Sequence, residues 1–222
     1  MSFVATLLSQ WTVEGADRVP KSGPLIVVVN HFSFVDPPLL MASLPRTVTF
    51  VAKSEMWRSP ASRLFCQAFG ILPIRRGEPD RSALRAALEV LKQGRSLAYF
   101  PEGTRGREQP KALKRALSGV ALLAQLSHAP IVPVGISGTE VFNTTGDILT
   151  QLLKRPRVRV CIGEPFLLPI IEGRRSQAAL EAQTNSIMVQ VARLLPERYW
   201  GAYAEQTRTL LQEDTTERVS AH

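Results

Sequence analysis

Cysteine is nearly absent: Cys66 and Cys161 are the two in 222 residues, far apart and in no CxxC pair. That scarcity excludes a disulfide framework and a thiolate zinc site, and each is expected as a small core residue in a reducing cytoplasm. No metal site is expected. No apolar run approaches the roughly 18 residues of a spanning helix. The first eleven residues, MSFVATLLSQW, would reach about 16 Å as a helix against a hydrocarbon core of about 30 Å. They also lack the basic start and small-residue cleavage site of a signal peptide. A GxSxG elbow is missing, which argues against a serine hydrolase. Repeats, low-complexity tracts and linkers are missing too, so residues 1–222 are read as one domain.

What is present is enough apolar material to fill a core, 45% of the chain, and a net charge of +8. The charge favours partners that carry phosphate, whether nucleic acid, an anionic membrane or a small phosphorylated substrate. The basic residues lack the aromatic interleaving of an RNA-recognition motif and the pattern of a C2H2 finger, so no nucleic-acid partner is expected.

Short β-branched runs recur at Leu25 to Val29, Val48 to Val51, Ile71 to Ile74, Leu97 to Phe100, Ile131 to Ile136 and Val158 to Ile162, too short for helices of usual length. Between them lie helical patterns: Arg81 to Gln93, with Leu84, Leu88 and Leu91 on one side, and Leu113 to Ser127, with Leu117, Val120 and Ala121 similarly spaced. A third begins near Ser176. Apolar strands alternating with helices predict an α/β fold, a mixed, mostly parallel sheet flanked by helices. The C-terminal helices are expected over about 176–213, with residues 214–222 fraying.

The first chemically distinctive stretch is VVVNHFSFVDPP, Val27 to Pro38. A strand runs directly into His31; Pro37 disfavours helical geometry at Asp36 and suits a helix start, so Asp36 is expected as an N-cap. Residues five apart on a continuous helix point about 140° from one another. His31 and Asp36 therefore meet only if Asn30 to Asp36 forms a turn. An imidazole held by a carboxylate can take a proton from a hydroxyl, and the carboxylate then stabilises the imidazolium. The plainer alternative, in which Asp36 caps a helix and His31 packs at a strand end, stays open at this level.

A second strand, Leu97 to Phe100, exits into Pro101-Glu102-Gly103-Thr104-Arg105, and crevices at strand exits are where α/β sheets bind ligands. Arg105 offers a rigid fork to a phosphate, Glu102 accepts from a hydroxyl or holds that arginine, and Gly103 permits close backbone approach. A surface turn with a salt bridge is the alternative.

Together, Asn30-His31-Phe32-Ser33-Phe34-Val35-Asp36 and Phe100 to Arg105 resemble the hallmark NHxSxxD and FPEGTR motifs of the glycerolipid acyltransferases, the PlsC-like enzymes typified by lysophosphatidic acid acyltransferase. Ile74-Arg75-Arg76-Gly77 and Ile131-Val132-Pro133-Val134-Gly135 resemble two weaker family blocks in the same order, so the resemblance spans about 23–163. Two departures stand out: Gly106 occupies the place of a frequent serine, and Leu113-Lys114-Arg115-Ala116 replaces a common Phe-Lys-x-Gly.

The resemblance implies transfer of a fatty acyl group from a thioester, on coenzyme A or acyl carrier protein, to the free hydroxyl of lysophosphatidic acid. Glycerol 3-phosphate, another lysophospholipid and a hydroxy-acyl amino lipid are the alternative acceptors. It makes His31 the base and Asp36 its orienting partner, and gives the acceptor site to Arg75, Arg76, Glu102, Gly103, Thr104, Arg105 and Lys114. No cofactor is implied, the acyl thioester being a substrate. Ser33 is expected to brace the turn by bonding backbone. His128 and His222 have no suitable acidic neighbour and are read as non-catalytic.

A lipid acceptor implies docking as a peripheral protein on the cytoplasmic side of a membrane. Candidate docking groups are an N-terminal helix presenting Phe3, Val4, Leu7, Leu8 and Trp11, the mixed stretch Trp57-Arg58 with Arg63-Leu64-Phe65, and the basic run Lys154 to Arg159. Core packing and solvated charge are the plainer alternatives. A non-catalytic lipid-binding relative is the rival from another class, and the intact His31/Asp36 pair argues against it.

Overall fold

The five apolar residues of strand β2 (Leu25–Val29) are all fully buried, as an unbroken apolar run requires when both faces of a sheet are covered. The computed structural model describes residues 10–53, 72–74, 81–103, 111–143 and 155–220. Besides β2 it contains β1 (Gln10–Glu14), β3 (Val48–Lys53), β4 (Leu72–Ile74), β5 (Ser96–Tyr99), β6 (Ile131–Ser137) and β7 (Arg157–Ile162). Among the described residues these seven strands form one sheet in the order β1-β7-β6-β2-β5-β3-β4. Every neighbouring pair is parallel except β6 with β7. The sheet is thus mixed and mostly parallel, as the sequence implies.

Helices flank it: α1 (Asp36–Ser43), α2 (Arg81–Lys92), α3 (Gly119–Ser127), α4 (Gln177–Ala192) and α5 (Ala204–Ser220). Successive strand residues face opposite sides, so Ile26, Val28 and Leu97 pack under α2, α3 and α4, while Val27, Val29 and Ala98 pack with Leu40 of α1, Trp11 and Phe50. Ser176 starts α4 by accepting from Ala179 N–H, an N-cap in the usual sense.

Three local expectations change. Trp11 belongs to no helix: Gln10 to Glu14 alternates outward and inward residues along the parallel register with β7, and Trp11, opposite Val158, is 7% exposed within the core. Pairing with β7 satisfies backbone groups that a sheet edge otherwise leaves open. Second, α3 begins at Gly119 rather than near Leu113, because the amides of Leu113, Lys114, Ala116 and Leu117 are spent on distant partners described below. Third, the last helix continues through Ser220, past residue 213. Leu210 and Leu211 pack on the core and Asp214 pairs with Arg193, which holds the helix down well along its length.

The strand order reverses at β2. The chain leaving β2 proceeds to β3 on one side, whereas the chain leaving β5 crosses to β6 on the other. This is the topological switch point at which such sheets open a crevice beyond the carboxyl ends of their strands. Both motifs emerge there.

Candidate active site

Asn30, fully buried, is the first residue after β2. Its side chain donates to Ile136 O (2.8 Å) and accepts from Ile136 N (2.7 Å), pinning the end of β2 to β6. An asparagine suits the position because one flat amide supplies both a donor and an acceptor to a single backbone unit. The next residue, His31, is thereby held at the sheet's edge.

The chain then turns, with Asp36 N–H bonding Ser33 O (3.2 Å). The fully buried Asp36 carboxylate accepts from Phe32 N (2.7 Å) and Ser33 N (2.6 Å) at Oδ2, and the same oxygen lies 3.1 Å from His31 Nδ1. An ionised carboxylate can only accept, so Nδ1 is the donor in this contact, and in the neutral imidazole Nε2 is then the acceptor. The His31 side chain is 17% exposed. Asp36 makes no cap bond to its own helix. The N-cap expectation is corrected: the carboxylate aims backward, because the turn's amides and the imidazole offer it three donors at once. Ser33 Oγ is buried and makes no hydrogen bond among the described residues; there the serine contributes through its backbone N–H rather than the hydroxyl bracing expected of it.

Phe100, leaving β5, packs its ring 4.3 Å from the His31 ring and stacks in turn on Phe50 at 6.0 Å. This apolar wall limits the rotation of the imidazole about the Asp36 bond.

Glu102 is 9% exposed and binds two backbone amides from distant segments: His31 N to Oε1 and Lys114 N to Oε2, both at 3.0 Å. Burial pushes its carboxyl up to about 7, and the Asp36 charge adds to the rise, while the two amides and the Lys114 charge oppose it. Oε1 thus holds the backbone of His31 and Oε2 that of Lys114; the pairing with Arg105 expected from sequence falls on a residue outside the described ones. Gly103, at φ 68, turns the chain immediately afterwards, a conformation open to glycine at little cost.

The segment that holds Glu102 has no regular structure. Leu113 N donates to Tyr199 O (2.9 Å), Ala202 N to Leu113 O (3.0 Å), and Leu117 N to Pro101 O (3.0 Å). Ala116 N donates to the Tyr203 hydroxyl (2.8 Å).

Of the residues assigned from sequence, His31, Asp36, Glu102 and Gly103 meet at one edge of the sheet, with Lys114 beside Glu102. Arg75, Arg76, Thr104 and Arg105 lie outside the described residues, as do Phe3 to Leu8, Trp57 to Phe65 and Lys154. Arg157 and Arg159 are exposed on β7 and bond to Gln10 and Glu14, so part of the basic run is already partnered. Among the described residues no group of three His, Cys, Asp or Glu side chains is arranged to hold a metal. Sequence reasoning gave no role to Asn30, Phe100 or Tyr203. A buried polar residue directly after an apolar strand was the available signal for Asn30; nothing local marks Tyr203.

An acyltransferase family model matches residues 10–137, a span that contains both motifs and β1. The chain belongs to the acyltransferase family. Among its relatives, the chloroplastic 1-acyl-sn-glycerol-3-phosphate acyltransferase LPAT1 of Arabidopsis thaliana is 31% identical over 157 residues, covering 69% of this chain and 43% of its own. The 1-acyl-sn-glycerol-3-phosphate acyltransferase of Bacillus subtilis is 26% identical over 183 residues, covering 82% of this chain and 86% of its own. The chain thus spans less than half the length of the chloroplastic relatives. The crystal structure of PlsC, the 1-acyl-sn-glycerophosphate acyltransferase from Thermotoga maritima, superposes with a TM-score of 0.62 at 28% identity, over 82% of this chain and 70% of that one. These matches place this acyltransferase among the PlsC-like glycerolipid enzymes. No helix among the described residues is long and apolar enough to cross a membrane.

Proposed function

We propose that this protein moves a fatty acyl group from a thioester, on coenzyme A or acyl carrier protein, to the free hydroxyl of lysophosphatidic acid, giving phosphatidic acid for phospholipid synthesis. The observation that carries the reading is the His31 Nδ1 to Asp36 Oδ2 contact of 3.1 Å. It leaves Nε2 with its lone pair to meet a substrate hydroxyl.

In this mechanism His31 Nε2 takes the hydroxyl proton as the oxygen attacks the thioester carbonyl, and Asp36 balances the imidazolium that forms. The tetrahedral intermediate collapses, the carbon–sulfur bond breaks, and the thiolate receives the proton back from His31. Acyl transfer is direct, with no acyl-enzyme. A positioned base of this kind contributes roughly 10²- to 10⁴-fold.

The acceptor's phosphate needs several aimed cations. Arg105 is the first candidate, with Arg75, Arg76 and Lys114 behind it and Glu102, Gly103 and Thr104 shaping the pocket. A lipid acceptor places the reaction at a membrane surface, with the enzyme peripheral on its cytoplasmic side.

The test is thiol release from palmitoyl-coenzyme A by the purified protein, with and without lysophosphatidic acid, alongside His31→Ala. Release that depends on the acceptor and drops at least 100-fold in the variant supports the proposal. Turnover retained in His31→Ala, with circular dichroism unchanged, removes His31 as the base. Release with another lysolipid in place of lysophosphatidic acid redirects the acceptor assignment.

A further inference from the structure

The family match ends at residue 137, yet the catalytic turn is held by residues that come sixty and more positions later. Tyr203 is 2% exposed, and its hydroxyl oxygen accepts from Ala116 N at 2.8 Å. Two residues before it, Gly201 (φ 48) lies so close to residue 113 that an added Cβ would stand 2.2 Å from Leu113 O. Tyr199 takes the Leu113 amide on its carbonyl and sets its ring 5.3 Å from Phe32, inside the catalytic turn.

Residues 113–117 are therefore clamped at Leu113, by Tyr199 and Ala202, and at Ala116, by Tyr203. Between the two clamps lies Lys114, whose amide binds Glu102, whose other oxygen binds the amide of His31. We propose that Tyr203 is a positioning residue for acyl transfer: by fixing the Ala116 amide it sets the register of Lys114 on Glu102, and through Glu102 the placement of the general base. This rests on the acyltransferase reading above.

The chain of contacts has a signature distinct from ordinary stabilisation. Among the described residues, the titratable groups facing Glu102 are His31 from the loop after β2, Asp36 from α1, Lys114 from the clamped segment and Tyr203 from the turn before α5. Losing the Tyr203 oxygen loosens the Lys114 amide, and an amide withdrawn from a carboxylate raises that carboxyl further. Because the ionised carboxylate is the form that accepts both amides, the acid limb that Glu102 sets in the pH–rate profile should then move upward. A purely structural role would scale the rate equally at every pH.

The experiment compares wild type with Tyr203→Phe and Gly201→Ala in the palmitoyl-coenzyme A assay from pH 5.5 to 9. Amide hydrogen exchange is read over peptides 27–34 and 111–118. Expected for Tyr203→Phe are kcat lower by roughly tenfold, KM for the acceptor changed less than about twofold, an upshifted acid limb, and faster exchange in both peptides. Gly201→Ala, which pushes on the same segment from the other side, should give the same pattern. In a Glu102→Gln background Tyr203→Phe should lose most of its effect on kcat. An unmoved acid limb, an undiminished effect in that background, or unchanged exchange at 27–34 overturns the proposal. If wild type transfers no acyl group, the functional reading fails alone, and the exchange at 27–34 still decides whether Tyr203 positions His31.

Discussion

Replacing Glu102 with Gln should change how stability depends on pH, by an amount that follows from its burial. Its carboxyl rises from 4.5 to about 7 on folding, chiefly because it is out of water. The folded protein therefore keeps a proton through a window in which the unfolded chain has lost it. Below 4.5 both states are protonated; as pH climbs through about 7 the folded carboxyl ionises at a cost, so stability falls across that interval. At about 1.4 kcal/mol per pKa step, the loss is about 3 kcal/mol. Glu102→Gln has no proton to lose. It keeps the shape but offers one acceptor fewer to the two amides, a penalty that is the same at every pH. The slope, not the offset, is the test. Urea unfolding at pH 4.5, 5.5, 6.5 and 7.5 should show the wild type losing about 3 kcal/mol relative to the variant, or about 1 M in midpoint difference for a chain of this size. Parallel curves, agreeing in slope within about 0.5 kcal/mol, would refute the account of Glu102 as a buried carboxyl.

Other outcomes follow from the described contacts and, for Arg105, from the proposed function. Asp36→Asn should lower kcat by about 10³- to 10⁴-fold, with a loss of stability measured by thermal unfolding, since the backbone amides of Phe32 and Ser33 and the His31 ring share its Oδ2. Asn30→Ala strands the buried amide and carbonyl of Ile136, so denaturant unfolding should report a loss of about 2–4 kcal/mol; a loss under about 0.5 kcal/mol would mean water replaces the side chain. Arg105→Ala should raise the acceptor's KM far more than the donor's in steady-state kinetics; equal changes in both would end its assignment to the phosphate.

Much of the site was legible because its signals are local. The spacing His31 to Asp36, closed by Pro37 and Pro38, predicts a turn that lets the pair meet, and the contact is there at 3.1 Å. The apolar runs of β2 and β6 likewise announce strands covered on both faces. Elsewhere the local signal pointed elsewhere. Leu113 to Leu117 carries a helical pattern, yet its backbone amides go to Tyr199, Glu102, Tyr203 and Pro101, and a chain that spends its amides on distant partners cannot also spend them on its own helix. Trp11, apolar and near a terminus, reads as a docking residue until β7 supplies a strand to pair with.

By itself, then, the sequence determined that His31 and Asp36 share one turn and which apolar runs become strands, because hydrophobic periodicity and turn chemistry act over a few residues. The tertiary structure decided where polar groups find their partners: Asp36 turned back on its own loop, Glu102 set between His31 and Lys114, and Tyr203 brought from the far end of the chain to Ala116. Those choices depend on which backbone donors are brought within about 3 Å of one another, and sequence spacing carries no record of that.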